Sequence, residues 1–178
     1  MTTFDQCFDI VLGTEGGFSA DPADPGNWTG GRPGHGVCRG TKFGISAAAY
    51  PDINIPALTV AQARELYKRD YWDPVCADRL PPPLALLAFD AAVNNGVRSA
   101  AIWLQQAAGA AADGVIGPQT LAAIETAAGR PDGGAALCAE FLARRLAFMA
   151  ALPTWRSFGL GWARRLCRLP YQSLTVHG

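Results

Sequence analysis

The sequence predicts a mainly α-helical fold with a small β or irregular segment near its N-terminal end. Apolar residues recur at helical spacing from residue 46 onward, which is typical of packed helices. Residues 16–45 are instead rich in Gly, Pro and Asp, a composition typical of loops. The chain has 178 residues, of which 49% are hydrophobic. It can therefore bury the core of one domain, with room for a small appendage.

Residues 3–14 are predicted to form the first helix. Phe4 and Phe8 stand four residues apart and place apolar side chains on one face. Thr3 and Gln6 have the spacing of a capping box, in which each side chain bonds the backbone N–H of the other residue. The Gly-Gly pair that follows predicts the end of the helix, because glycine adopts the left-handed cap conformation readily.

Two short strands and six further helices are predicted along the rest of the chain. The segments NWT and TKFGIS would pair across the glycine-rich turn GGRPGHGVCRG. Thr59 and Gln62 form a second capping box. Pro81–Pro83 interrupt the chain and can begin a helix, and the last ten residues show no clear pattern. The predicted helices cover residues 59–70, 84–95, 98–108, 118–128, 134–151 and 154–168.

The charge balance excludes some classes of partner. Fifteen Lys and Arg residues equal fifteen Asp and Glu residues, so no single-signed field favours nucleic acid. Residues 139–178 nevertheless hold six arginines and one glutamate, a net charge of +5. This basic C-terminal end predicts contact with an anionic polymer or surface, and the alternative is an ordinary solvated helix face.

Cysteine usage and the N-terminal residues bear on the cellular compartment. The five cysteines are odd in number and include no CxxC pair, which indicates mostly buried, reduced thiols. No apolar run approaches the ~20 residues of a membrane span. The N-terminal stretch MTTFDQCFDIVLG lacks the basic start and long apolar run of an ordinary signal peptide. We therefore expect synthesis in a reducing cytoplasm and a separate route of release if the protein acts outside it.

Glu15 is the acidic residue with the strongest case for chemistry. Among four glutamates it alone lies at a predicted helix end, beside the long polar loop. The negative end of the helix dipole and partial burial would both raise the pKa of a carboxylic acid there. A carboxylic acid that stays protonated near neutral pH is what a glycosidase needs to protonate its leaving-group oxygen.

Two aspartates, Asp21 and Asp24, follow Glu15 by six and nine residues, and each precedes a proline. We interpret Asp21 as a turn-shaping residue. A calcium loop would need Asp or Asn at alternate positions before a Gly, and this run lacks that pattern. The only histidines are His35 and His177, too few for a closed zinc site, so no metal or organic cofactor is expected.

The stretch LGTEGGFSADPADPGNWTGG, with GTKFGIS after it, resembles the signature of glycoside hydrolase family 108. This family comprises N-acetylmuramidases that cleave peptidoglycan, and many of its members are phage endolysins. The resemblance implies a lysozyme-like helical fold with the β or irregular segment near the active-site cleft, and it makes Glu15 the catalytic acid. Besides the EGG triplet, the matching residues are Asp21, Pro22, Asp24, Pro25, Gly26, Thr29, Lys42, Gly44, Ile45 and Ser46.

The spacing of Glu15, Asp24 and Thr29 is also similar to that of phage lysozymes. Asp24 follows Glu15 by nine residues and Thr29 follows Asp24 by five, one fewer than in those enzymes. The resemblance makes Asp24 and Thr29 candidates for holding the attacking water. Flat aromatic faces and amide groups suit N-acetyl sugars. The candidate substrate-binding residues are Trp28, Lys42, Tyr71, Trp72, Asn94 and Asn95. The alternative for Tyr71 and Trp72 is a place in the core, and the two asparagines could instead end a helix.

Residues 89–124 resemble the peptidoglycan-binding region that follows the catalytic segment in this family, and GWARR at 161–165 extends the match. The markers are Asp90, Asn94, Gly96, Trp103, Leu104, Gln105, DGVIG at 113–117 and Thr120. We predict a catalytic segment over 1–87, a helical peptidoglycan-binding-like segment over 88–170 packed into the same globule, and a tail over 171–178. The resemblance implies that the partner of this monomer is the glycan strand of peptidoglycan.

These observations predict an endolysin-like hydrolase that cleaves the β-1,4 bond between N-acetylmuramic acid and N-acetylglucosamine, with Glu15 as general acid. One alternative is a non-catalytic peptidoglycan-binding or envelope-associated structural protein. A wall amidase or peptidase is the other, although His35 and Cys38 are only three residues apart in a glycine-rich turn. The resemblance to lysis enzymes implies synthesis in the host bacterial cytoplasm and action on the cell wall after release through a separate pore. Contact of the basic C-terminal end would then be with the anionic envelope.

Overall fold

The chain forms two compact units in a computed structural model that describes residues 1–13, 17–131 and 133–177. The helical unit is made of Met1–Cys7 and Lys68–Gly178, and the N-terminal unit of Phe8–Tyr67. Residues 68–87, predicted to belong with the catalytic segment, group with the helical unit instead. The reason is aromatic packing, because Trp72 meets Phe89 edge-to-face at 5.5 Å between ring centroids.

Helices dominate the described residues, which confirms the mainly α-helical prediction. Short 3₁₀ turns occupy Pro25–Asn27, Ile55–Ala57, Asp73–Val75 and Ala77–Arg79, and a π-helical turn occupies Lys68–Trp72. The α-helices are α1 (Thr3–Leu12), α2 (Val60–Tyr67), α3 (Pro82–Asn95), α4 (Val97–Ala108), α5 (Pro118–Ala128), α6 (Gly133–Ala150) and α7 (Trp155–Ser173). Within the described ranges, no helix has both the length and the apolar composition needed to cross a membrane.

The first helix begins at Thr3, as predicted, but its capping pair lies one residue earlier than predicted. Its capping box consists of Thr2 and Asp5, because the Asp5 N–H donates to Thr2 Oγ1 at 3.2 Å and the Thr2 N–H donates to Asp5 Oδ2 at 3.0 Å. The predicted pair of Thr3 and Gln6 is therefore wrong. Gln6 instead donates to the His177 carbonyl at 3.2 Å and accepts the His177 N–H at 3.0 Å. The second predicted box, Thr59 with Gln62, is confirmed, with bonds of 2.9 and 3.2 Å.

The C-terminal residues are more ordered than the predicted tail over 171–178. Helix α7 continues through Pro170 to Ser173, although an internal proline removes one intrahelical hydrogen bond. Val176 is buried beyond the end of the helix, and His177 is held by Gln6. The segment predicted as a tail is therefore held to the first helix, because the Gln6 side chain bonds the backbone of His177.

The small sheet is a tight hairpin within TKFGIS. Strand β1 (Thr41–Lys42) pairs antiparallel with β2 (Ile45–Ser46). The two residues between them, Phe43 and Gly44, both have positive φ angles, of 52° and 72°, as a two-residue hairpin turn requires. The predicted pairing of NWT with TKFGIS is wrong, since Trp28 makes only an isolated bridge with Cys38.

The core of the helical unit is built around α3, which is buried on nearly all sides. Pro82 occupies its first turn, where the missing N–H costs no hydrogen bond. Phe4 packs edge-to-face on Phe89 at 5.9 Å and on Trp72 at 5.3 Å between centroids. The fully or almost fully buried residues of α3 are Leu84, Ala85, Leu86, Leu87, Ala88, Phe89, Asp90, Ala91 and Ala92.

The five cysteines are free thiols that differ in burial. Cys7 is buried, and Cys138 is half-buried. Burial raises the pKa of Cys7 to about 12 and that of Cys138 to about 11, so both thiols stay protonated at neutral pH. Cys167 is exposed, so the prediction of mostly buried thiols does not extend to it.

One carboxylate stands inside this apolar core. Asp90 on α3 is fully buried, and Arg145 on α6 donates to its Oδ2 from Nη1 at 2.6 Å. Arg165 on α7 donates to Oδ1 from Nε at 2.8 Å. Burial lowers the pKa of the Arg145 guanidinium, and the nearby Asp90 charge opposes that shift. Arg145 also donates from Nε to Asn95 Oδ1 at 2.8 Å, so the cluster ties three helices together.

We predict that Asp90→Ala lowers the free energy of unfolding by about 3–5 kcal/mol, because it leaves the buried Arg145 without its counter-charge. The matched control is Glu125→Ala, which removes an exposed pair with Arg79 at 3.4 Å. That change should cost less than about 1 kcal/mol. Chemical denaturation of the two variants measures both effects. Equal effects would show that the Asp90 cluster does not stabilise the fold.

Candidate active site

Helix α1 ends ahead of the residue predicted as the catalytic acid. Its last residue is Leu12, and Gly13 follows with φ 62° and an N–H bonded to the Asp9 carbonyl at 3.0 Å. Gly13 therefore supplies the left-handed stop that the sequence assigned to the later Gly-Gly pair. Glu15 and its predicted helix-end position lie outside the described residues.

A cavity of about 390 Å³ borders the residues on both sides of that segment. Gly13 and Gly17 both contribute to its lining. Asp9, which also lines it, is paired with Arg64 at 2.5 Å. The other lining residues are Phe8, Leu12, Phe43 and Val60. The N-terminal unit thus contains a cavity with mostly apolar walls and one charged lining residue, Asp9, and Gly13 and Gly17 of its lining flank residues 14–16 in the sequence.

The loop that carries Asp24, Trp28 and Thr29 is organised by a buried asparagine. Asn27 is 0% exposed. Its Nδ2 donates to the Asp21 carbonyl at 3.0 Å, and its Oδ1 accepts from Thr41 Oγ1 at 2.7 Å. Its backbone carbonyl accepts the N–H groups of Arg39 and Gly40 at 2.9 and 3.1 Å. One side chain therefore joins the start of the loop to the hairpin at its end.

Asp21 and Asp24 have the same local role in the loop. Asp21 Oδ1 accepts the Ala23 N–H at 2.9 Å, and Asp24 Oδ1 accepts the Gly26 N–H at 2.8 Å. Both side chains are exposed. Asp24 caps the 3₁₀ turn Pro25–Asn27. The turn-shaping interpretation of Asp21 fits this geometry. Asp24 makes the same kind of bond, so it also shapes a turn, whatever further role it has.

Trp28 and Thr29 lie just after that turn, and both are half-buried. The Trp28 indole N–H donates to the Pro22 carbonyl at 2.9 Å, which fixes the plane of the ring. Thr29 Oγ1 accepts the Val37 N–H at 2.9 Å. Gly36, at φ 80°, is required there, because any Cβ at this position would collide with the Thr29 hydroxyl.

Lys42 is directed by its neighbours in the hairpin. Its Nζ donates to the Pro56 carbonyl at 3.1 Å and lies 5.3 Å from the centroid of the Phe43 ring. The ammonium group retains hydrogen-bond donors, because it carries three. Its predicted role toward substrate stays a prediction.

The other predicted substrate-binding residues belong to the helical unit. Trp72 is 0% exposed, and its indole N–H donates to Asp78 Oδ1 at 2.8 Å. It therefore has no open ring face for a sugar, and the prediction for Trp72 is wrong. Tyr71 is half-buried. Asn94 is exposed and donates to the Asp90 carbonyl at 2.8 Å, while Asn95 accepts from Arg145.

Of the predicted site residues that the structure describes, four lie in the N-terminal unit and four, Tyr71, Trp72, Asn94 and Asn95, lie in the helical unit. Asp24, Trp28, Thr29 and Lys42 belong to the N-terminal unit. Sequence reasoning missed Asn27, although it stands inside the matching stretch. An asparagine after Pro-Gly has the composition of an ordinary exposed turn, so only tertiary contacts distinguish it. In the part of the chain that the structure describes, no group of three or more His, Cys, Asp or Glu could hold a metal ion.

Comparison with known proteins identifies the family. The profile described as Glycosyl hydrolase 108 matches residues 8–96, which is half of the chain. The chain belongs to the glycosyl hydrolase 108 family. A profile described as Predicted Peptidoglycan domain matches residues 99–167 of this family member. The solved structure of SagA from Brucella abortus is similar over 98% of this chain and 95% of its own, with 31% identity and a TM-score of 0.78. No curated protein matches the chain.

Family membership makes this protein a glycoside hydrolase of the lysozyme type that acts on peptidoglycan. The second profile supports peptidoglycan as its binding partner. Within that region Gln105 organises the DGVIG turn, because its Nε2 donates to Asp113 Oδ1 at 2.7 Å and its Oε1 accepts the Gly114 N–H at 2.8 Å. The hydrogen bond from Gln105 also lowers the pKa of Asp113.

We predict that Asn27→Ala destabilises the N-terminal unit by about 1–3 kcal/mol, because the Thr41 hydroxyl and the Asp21 carbonyl lose their partner. The matched control is Asn54→Ala, since Asn54 is exposed and its side chain caps nothing. Hydrogen exchange followed by mass spectrometry should show faster exchange over residues 21–41 in Asn27→Ala only. Unchanged exchange in that loop would contradict the role given to Asn27.

Proposed function

We propose that this chain is an N-acetylmuramidase that cleaves the β-1,4 bond between N-acetylmuramic acid and N-acetylglucosamine, with Glu15 as general acid. The observation that carries the proposal is the match of residues 8–96 to the glycosyl hydrolase 108 family, which includes the EGG sequence. The cavity bordered by Gly13 and Gly17 supports a substrate site beside Glu15. A single protonated carboxylic acid at such a cavity suffices to protonate the glycosidic oxygen.

Asp24 and Thr29 are proposed to position the water that attacks the anomeric carbon. The turn occupies only Oδ1 of Asp24, so Oδ2 has no partner in the described part of the chain and can accept a proton from water. The Thr29 hydroxyl accepts from Val37 and therefore keeps its own proton to donate to the water oxygen. One donor and one acceptor would orient the water.

Substrate binding is proposed for the remaining accessible candidates, namely Trp28, Lys42, Tyr71, Asn94 and Asn95. Trp28 is the best placed, because the Pro22 carbonyl holds its ring beside the residues proposed to position the water. An aromatic face suits the apolar face of a sugar ring, and exposed amides suit N-acetyl groups.

We further propose that the protein works as a monomer, that it is made in the cytoplasm of a bacterium and that it reaches the wall by release. Its basic C-terminal end is proposed to contact an anionic part of the envelope. Six arginines against one glutamate over residues 139–178 support that contact.

We predict that Glu15→Gln lowers the rate of peptidoglycan cleavage at least ~10²-fold, because the amide cannot supply the proton. Glu65→Gln is the matched control, since Glu65 is an exposed glutamate of α2 in the same unit. Mass spectrometry of the released muropeptides should find new reducing ends at N-acetylmuramic acid. New amino termini would instead indicate an amidase or peptidase. A parent protein that binds the wall without clearing it in a zymogram would support the non-catalytic alternative.

We predict that Asp24→Asn lowers the cleavage rate ~10²-fold, whereas Asp21→Asn changes it only a few-fold. The two variants are matched, because each aspartate accepts one backbone N–H through Oδ1 and asparagine preserves that acceptor. Each change removes the negative charge and replaces the second carboxylate oxygen with an NH2 donor. Turnover on isolated peptidoglycan measures the difference. Equal and mild losses would remove Asp24 from the mechanism.

A further inference from the structure

Helix α7 has a composition unlike that of the other helices. It contains four arginines, Arg156, Arg164, Arg165 and Arg168, and no Asp or Glu. The last acidic residue of the chain is Glu140 on α6. A helix that carries one sign of charge over nineteen residues repels itself in water unless an opposite charge lies beside it.

The inward side of α7 is fixed to the helical unit. Leu166, Leu169 and Ser173 are buried, and Gly159 packs against the Trp155 ring. Arg165 is bound to the buried Asp90. The helix therefore stays in place when its outward side meets a partner.

The outward side of α7 alternates arginine with exposed apolar side chains. Leu160, Arg164, Cys167 and Tyr171 lie within about 60° of one another around the axis, at ~100° per residue. Leu160 is 66% exposed and Tyr171 is 77% exposed. Arg156 and Arg168 lie beside this strip, and Leu174 follows the last residue of the helix as its C-cap. Together we call the following residues the arginine–apolar face: Arg156, Leu160, Arg164, Arg168, Tyr171 and Leu174.

The arginines of this face have no charged or hydrogen-bonding partner among the described residues. Neither Arg156, Arg164 nor Arg168 forms a salt bridge or a hydrogen bond through its side chain with any residue that the structure describes. In contrast, Arg145 and Arg165 are bound to Asp90, and Arg144 pairs with Glu140 at 2.6 Å. The basic excess of the C-terminal end is thus concentrated on one face of one helix.

An apolar cavity of about 510 Å³ opens at the C-terminal end of the same face. Leu174 belongs to both, and Pro170 and Ser173 of α7 also line the cavity. Leu84 and Leu87 of α3 form part of its floor. A cavity of this size and polarity suits an apolar chain rather than a sugar or a charged polymer.

We propose that the arginine–apolar face binds the surface of a bilayer rich in anionic phospholipid. The arginines would bind lipid phosphates, and Leu160, Tyr171 and Leu174 would enter the boundary between headgroups and acyl chains. The helix lies on the bilayer and does not cross it. This contact does not depend on the muramidase proposal, because it uses none of the residues assigned to cleavage.

Two other occupants fit the face less well. An anionic wall polymer would satisfy the arginines but leave the exposed apolar side chains and the cavity without partners. A second copy of the chain, paired through α7, would bring arginines together without any acidic residue on that helix. Only an anionic bilayer supplies phosphates and acyl chains at one surface.

The test is co-sedimentation of the full chain with vesicles of phosphatidylglycerol and phosphatidylcholine, and with vesicles of phosphatidylcholine alone. We expect binding to the anionic vesicles only, and weaker binding as salt rises. The double variant Arg164→Glu with Arg168→Glu should reduce this binding at least ~10-fold. The double variant Leu160→Ser with Tyr171→Ser should also reduce it, which a purely electrostatic contact would not show.

The matched control is Arg130→Glu, an exposed arginine outside α7. Arg130→Glu and the single variant Arg168→Glu change the charge by the same amount, so their effects on vesicle binding are compared directly. Thermal melting checks that each variant is folded. The proposal is overturned if Arg130→Glu and Arg168→Glu weaken vesicle binding equally, or if the apolar variant binds like the parent. Two further results would overturn it, each in a parent protein that does not bind anionic vesicles. One is binding to purified wall polymer, and the other is dimerisation through α7. In either case the arginine double variant would lose that binding or that dimerisation.

Discussion

The buried carboxylate of Asp90 is the interaction on which the helical unit depends. An isolated charge in an apolar core is costly, so this site is stable only because Arg145 and Arg165 approach both carboxylate oxygens. Each guanidinium comes from a different helix, and α3 supplies the acid. The cluster therefore fixes how α6 and α7 sit on α3 in a way that interchangeable apolar contacts would not. Asn95 adds a further bond to Arg145, so a residue predicted to bind sugar also supports this cluster.

Within the described residues, the N-terminal unit is stabilised by side-chain hydrogen bonds to its backbone and not by a buried ion cluster. It contains little regular structure between α1 and α2, so hydrogen bonds to the backbone of its loop must come from side chains and from tight turns. Asn27 meets that need at several points, and the capping carboxylates of Asp21 and Asp24 meet it locally. A loop held in this way can present side chains with the precision that chemistry on a substrate requires, although it is neither a helix nor a strand.

Sequence reasoning succeeded where one local signal decided the structure, and failed where several residues competed. Helical periodicity identified α2 to α7, because the buried faces repeat at the helical period. The capping box was misplaced by one residue, since Thr2 with Asp5 and Thr3 with Gln6 both have acceptable spacing. The hairpin was misassigned because TKFGIS was treated as one strand, whereas the positive φ angles of Phe43 and Gly44 turn the segment back on itself. The burial of Trp72 and Asn27 depended on tertiary packing, which no local pattern encodes. The family motif, in contrast, located the loop of Asp24 and Thr29 from sequence alone.

The pairing of individual side chains, more than the total charge, determines the electrostatic surface of this protein. The total is zero, which taken alone argues against any electrostatic role. Yet Asp90 neutralises one of its two arginines, and Glu140 neutralises Arg144. The arginines on the outward side of α7 keep their charge available, next to leucine and tyrosine side chains that water solvates poorly. A surface of this kind is more costly in water than at a boundary where phosphates and hydrocarbon meet. Local pairing, and not net charge, therefore determines where the protein presents unpaired positive charge.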